Sequence, residues 1–147
     1  MQTMLKPTEP SSLPSSVEVM SVPAEQIEDI WEEVRPFIQK GLDYGPDKWG
    51  IDHVKQTLLD KQMQLFVVVQ DRILAALVTE VSQFPKEKTL SVMCLGGENV
   101  HLWIDKLLKI LEKWADELGA TFEVVGRPGW EKILGYKRIA VILRKQT

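Results

Sequence analysis

Apolar positions in the stretch from Leu90 to Leu118 predict a strand followed by a long amphipathic helix. From Asn99 onward the apolar residues fall at Trp103, Leu107, Ile110, Leu111, Trp114 and Leu118. Steps of three and four place them on one helical face. Asp105, Lys106, Lys109, Glu112, Lys113, Asp116 and Glu117 take the opposite face, with Asn99 as the predicted N-cap and Gly119 as the C-cap. The run Leu90-Ser91-Val92-Met93-Cys94-Leu95 is too short for a helix of its own and ends at Gly96-Gly97, so it reads as a strand entering the helix through a tight glycine turn. The N–H groups left unpaired at such a helix start suit an anion.

The same reading extends in both directions. Val17–Val22 alternates like a short strand, and Ala24–Lys40 carries Ile27, Ile30, Trp31, Val34, Phe37 and Ile38 at helical spacing, with Pro36 expected to kink the helix or end it early. Residues 41–50 hold three glycines and a proline and read as a loop. A helix follows over 51–61 with Val54, Leu58 and Leu59 inward. Strands at 65–69 and 73–81 flank Gln70-Asp71-Arg72 as a hairpin; both are apolar almost throughout, which predicts burial on both faces. Thr121–Val125 reads as a strand, and Pro128 opens a short helix ending at Gly135. Arg138–Arg144 reads as a last strand with Ile139, Val141 and Leu143 on one side. The order β-α-α-β-β-β-α-β-α-β predicts a single α/β domain of the mixed α+β kind, with a twisted, mixed, mostly antiparallel sheet and helices on both faces. That domain spans 17–147. Residues 1–16, with three prolines and few core-forming side chains, are expected to be a flexible arm that a partner could order.

Composition narrows the function. A net charge of −3 over 147 residues argues against broad nucleic-acid binding, which needs Lys and Arg to neutralise phosphates. One cysteine, Cys94, allows no intrachain disulfide, and no basic leader or long apolar run is present, so the cytoplasm is the expected compartment and a membrane is not an expected partner. No metal site is expected: His53 has no ligand-spaced companions. Glu80, an acid in an apolar strand, is the candidate general base or else a solvent-facing strand residue. Cys94, between Met93 and Leu95, reads as a small buried apolar residue, and His101 as a surface or cap residue. Loop aromatics Tyr44 and Trp49 either cover the core or line a cleft, and Trp49 is carried as a substrate-binding candidate. Arg127 and Trp130 sit in turn chemistry, where an anion clamp and a substrate wall stand beside ion pairing and packing as equal readings.

The element order, the glycines before the long helix and the ending Leu134-Gly135-Tyr136-Lys137-Arg138-Ile139-Ala140-Val141 together resemble the GNAT superfamily of acyl-CoA-dependent N-acyltransferases, over roughly residues 17 to 145. The run Gly126-Arg127-Pro128-Gly129-Trp130 before Gly135-Tyr136 looks like the small GNAT-like proteins of bacteriophages. The resemblance implies a V-shaped opening between the strands at 90–95 and 121–125 for the pantetheine arm of acetyl-CoA. It places the cofactor against Met93, Leu95, Gly96, Gly97, Glu98 and Asn99. It implies acetyl transfer to a small-molecule or protein amine, in the host cytoplasm or the virion if the chain is phage-encoded. Three departures accompany it. The Arg or Gln that leads the cofactor loop in active members is absent, and Glu98 adds a negative charge there. Glu131 stands where many members have the tyrosine acid. The alternative is therefore a GNAT-fold interaction or structural protein that has lost catalysis and binds a protein partner.

Overall fold

The computed structural model describes residues 2–3, 16–45, 48–126 and 129–146. Six strands form one sheet in sequence order: β1 (Gln2–Thr3), β2 (Glu18–Val22), β3 (Gln64–Gln70), β4 (Arg72–Gln83), β5 (Lys88–Gly97) and β6 (Thr121–Val124). The pairs from β2 to β5 are antiparallel; β1 runs parallel to β2, and β6 parallel to β5. Residues 1 and 4–15 of the expected N-terminal arm lie outside the described residues, and Gln2–Thr3 pair with Met20 and Ser21.

Period-two alternation in β3 and β4 serves two cores, as their unbroken apolar sequence predicts. Leu65, Val67, Ala76 and Val78 face α1 (Ile27–Asp43) and α2 (Ile51–Leu59), where they meet Val34, Ile38, Val54 and Leu58. Phe66, Val68, Ala75 and Leu77 face α3 (Ile104–Leu118), where they meet Trp103, Leu107 and Leu111. Helices thus cover both faces of a mixed sheet, the architecture expected from the element order.

Several boundaries differ from the sequence reading, each for a local reason. Helix α1 passes through Pro36 to Asp43. The proline is exposed, so water can take the carbonyl it leaves unbonded, while buried Val34 and Ile38 on either side hold the axis against the sheet. Asn99 is not the N-cap of α3: it adopts a left-handed conformation, and a 3-10 turn over Val100–Leu102 precedes a helix that begins at Ile104. The β3–β4 turn needs no glycine because Asp71, at φ 59°, takes the left-handed position itself, which a short polar side chain tolerates. Gly119 (φ 66°) and Gly135 (φ 69°) end α3 and α4 (Gly129–Leu134) as predicted.

The expected last strand, Arg138–Arg144, is not formed. Residues 135–146 have no regular structure, and Ile139 and Leu143 are 73% and 89% exposed. The start of this segment is held by side chains and not by ladder hydrogen bonds: the Tyr136 ring meets Phe122 of β6 edge-on at 6.0 Å, and two tethers reach the helices. Tyr136 hydrogen-bonds to Glu112 of α3, and the Arg138 guanidinium donates to Glu131 of α4 through Nε at 2.9 Å.

Candidate functional site

The site is built by a strand that stops early. Strands β5 and β6 pair from Thr89↔Thr121 to Val92↔Val124, and Val125 N–H still reaches the Val92 carbonyl at 2.9 Å. Beyond that point β5 continues five residues to Gly97, paired only with β4. A β-bulge marks the divergence: Val78 opposes Cys94 while Thr79 opposes Val92, leaving Met93 without a partner on β4. The extra residue turns the strand over, so that Val92 belongs to the α3 core and Cys94, two residues on, to the α1 core. The opening expected between these strands is present as a cleft of about 240 Å³.

One wall is β5 from Met93 to Gly97 together with Lys40, Gly41, Tyr44 and Gly45 at the end of α1; the other is Val124, Val125, Gly126 and Trp130. Val100 and Trp103 also line it. The first wall is locked by glycines. A Cβ on Gly96 would lie 1.9 Å from the Phe37 carbonyl oxygen, and one on Gly41 would lie 2.7 Å from the Leu95 nitrogen, so helix and strand backbones touch directly. Gly97 is equally constrained, since its Cβ would meet that of Ala75 at 2.4 Å. The expected glycine turn is thus corrected: Gly96 and Gly97 are strand residues required by packing, and the chain turns at Glu98-Asn99.

Glu98 does not present a free charge to the cleft. Arg72 Nη2 lies 2.6 Å from its carboxylate. Its N–H donates to the Leu74 carbonyl at 2.8 Å, and its own carbonyl accepts from Trp103 Nε1 at 2.7 Å. The Glu98 amide is therefore spent. The next N–H groups, those of Asn99, Val100 and His101, have no partner among the described residues, whereas Leu102 and Trp103 are bonded to Asn99 and Val100.

The remaining candidates separate. Met93, Leu95, Gly96, Gly97 and Trp130 line the cleft, whereas Glu98 and Asn99 do not; Trp130 also packs on the α3 core. Glu80 does not line it. It pairs with Ser91, where β5 is still closed by β6, and accepts a hydrogen bond from Ser82 Oγ at 3.2 Å. Trp49 packs against the α1–α2 core and does not line the cleft. Cys94 is 3% exposed and burial pushes its thiol up to about 12, which removes it as a nucleophile. His53 and His101 are exposed. Arg127 lies outside the described residues. Glu131, where the resemblance implies a tyrosine acid, is paired with Arg138. Sequence reasoning missed Lys40 and Gly41: a lysine on the polar side of an amphipathic helix and a glycine at its predicted end carry no signal of a contact made 54 residues later in the chain.

No family model matches the sequence, and no curated protein matches it. Solved structures do match its fold. A GNAT family acetyltransferase of Staphylococcus aureus is 12% identical with a TM-score of 0.60, covering 90% of this chain and 99% of its own. An aminoglycoside 6′-N-acetyltransferase of Acinetobacter baumannii is 16% identical with a TM-score of 0.59 over 90% and 99%. A ribosomal-protein-alanine N-acetyltransferase of Brucella melitensis is 14% identical with a TM-score of 0.58 over 90% and 96%. Among the described residues, no helix is long and apolar enough to cross a membrane.

Proposed function

We propose, from the GNAT acetyltransferase fold that this chain has, that its cleft takes acetyl-CoA and that the protein passes the acetyl group to an amine. The observation that carries this reading is the parting of β5 and β6 after Val92, which leaves a strand edge open along one side of a lined cleft. Backbone N–H and C=O groups on such an edge can pair with an extended amide-bearing chain as a further strand would.

When bound, acetyl-CoA supplies an acyl group already activated as a thioester. The protein's own part is to hold and to exclude. The edge from Met93 to Gly97 orients the arm, and the N–H of Val100, which lines the cleft and has no partner among the described residues, offers a donor to the diphosphate. Arg72 holds Glu98 in an exposed ion pair, which weakens the repulsion that the acid would otherwise exert. Trp103 and Trp130 shield the cleft from water on the α3 side. Tyr44 carries the one hydroxyl among the described lining residues, which makes it our candidate to give a proton to a departing thiolate. No described lining residue is a carboxylate or histidine, so the amine's proton leaves to solvent at the open mouth.

Calorimetric titration with acetyl-CoA tests the reading, with binding and a raised melting temperature as the expected result. A flat titration and an unmoved melting temperature at millimolar ligand would sink it. The exposed apolar residues between Ile139 and Leu143 favour a second reading, a GNAT-fold protein that works by contact with a protein partner. A chain that ignores acetyl-CoA yet captures a partner only while those residues remain apolar would establish it.

A further inference from the structure

We propose that Lys40 is the anion-receiving side chain of the cleft, so that the molecule held there turns a phosphate or carboxylate toward the end of α1, and that the amine acceptor is not a polycation. The acceptor clause rests on the acetyl-transfer reading; the anion clause does not.

Three observations support it. Lys40 is the only ionised side chain among the described residues lining the cleft, and it has no ion pair there, whereas the neighbouring cation Arg72 is committed to Glu98 at 2.6 Å. Its Nζ stands 3.5 Å from the Gly97 carbonyl oxygen, which places the ammonium at the end of β5, where the cleft meets the chain turning toward α3. Its backbone is not free to drift, because Gly41, the next residue, touches the Leu95 backbone, and Gly96 touches Phe37. An ammonium on a held backbone, with no ion pair among the described residues and standing at the rim of a cleft of mixed polar and apolar lining, suits a negatively charged group, which gains a charge-assisted hydrogen bond there. By the same token a polyamine such as an aminoglycoside would bring several positive charges to a surface that offers Lys40 and no described carboxylate.

The test compares wild type, Lys40→Ala and Lys40→Arg, with circular dichroism to verify that all three are folded. Titration with inorganic pyrophosphate probes the charge alone. Affinity should fall about tenfold in Lys40→Ala and be largely retained in Lys40→Arg. A lysine that merely steadied the end of α1 would change melting temperature and leave these affinities alone. Two arms then separate the sources of the anion. If Lys40→Ala weakens acetyl-CoA but not S-acetylpantetheine, the group is a cofactor phosphate. If it leaves acetyl-CoA alone and raises KM for an amino acid acceptor such as glutamate, the group is the acceptor's carboxylate. Failure of wild type to bind acetyl-CoA, with Lys40-dependent pyrophosphate binding intact, would remove the acetyl-transfer reading and keep the anion site. Pyrophosphate binding that is absent, or equal in wild type and Lys40→Ala, would overturn the anion site. Turnover of an aminoglycoside as fast as that of the amino acid would overturn the acceptor clause.

Discussion

Gly41 is a residue whose substitution separates local preference from tertiary demand. It lies inside α1, where alanine normally stabilises by about 1 kcal/mol over glycine. Here the added Cβ would sit 2.7 Å from the Leu95 nitrogen and 2.9 Å from its carbonyl oxygen, backbone atoms that cannot rotate away. Gly41→Ala is therefore expected to destabilise by about 2 kcal/mol, in the range of overpacked cores, as read by urea unfolding. Gly50→Ala is the control: φ is −81° and a Cβ there meets nothing within 4 Å, so it should cost no more than the ~1 kcal/mol by which alanine caps α2 less well than glycine. Cys94 gives a second outcome at this scale. Desolvation raises its thiol from 9.0 to about 12, with the backbone hydrogen bond to Val78 opposing weakly. A folded-state pKa above the unfolded one contributes stability below pH 9 that is lost as pH climbs toward 12. Wild type should lose stability over that window relative to Cys94→Ala, and the native thiol should resist thiol reagents that label the unfolded chain at once. A native labelling rate equal to the unfolded one would contradict the burial.

At the scale of elements, what was legible followed from periodicity. The α3 stripe and the two-faced burial of β3 and β4 are properties of short windows, and Leu107, Leu111, Phe66 and Val68 sit where those windows place them. Pro36 and Asn99 misled because their local preferences were overruled, one by buried neighbours and the other by the turn Glu98 makes as it bonds to Leu74. The bulge at Met93 left no mark in the sequence, since it exists only in the register between two strands. Arg138–Arg144 has the alternation of a strand, but alternation does not supply a partner, and the tethers to Glu112 and Glu131 hold its start on helices. Deleting residues 139–147 should therefore cost less than about 1 kcal/mol and move the melting temperature by no more than about 4 °C, because exposed termini without ladder hydrogen bonds contribute little. A drop beyond 10 °C in a scanning measurement would mean that the segment completes the sheet after all.

For the whole molecule, the two walls of the cleft are fastened very differently. On one side α1 and β5 meet backbone to backbone at Gly41 and Gly96, and β5 is zipped to β4 from Lys88 to Gly97 except at the Met93 bulge. On the other, β6 holds to the sheet by four paired residues and half-buried side chains. The two sides differ in compliance. A guest that wedges the cleft wider does its mechanical work almost wholly on the short parallel seam, so the gap widens from one side only. Amide hydrogen exchange should register the asymmetry: β6 amides exchange well before those of β5 in the free protein. On adding acetyl-CoA, protection is expected to appear across Thr121–Val124 and α4, while α1 hardly responds. Equal protection of both walls before ligand would show that the seam is as stiff as the zip, and an entering molecule would then have to find its space ready-made.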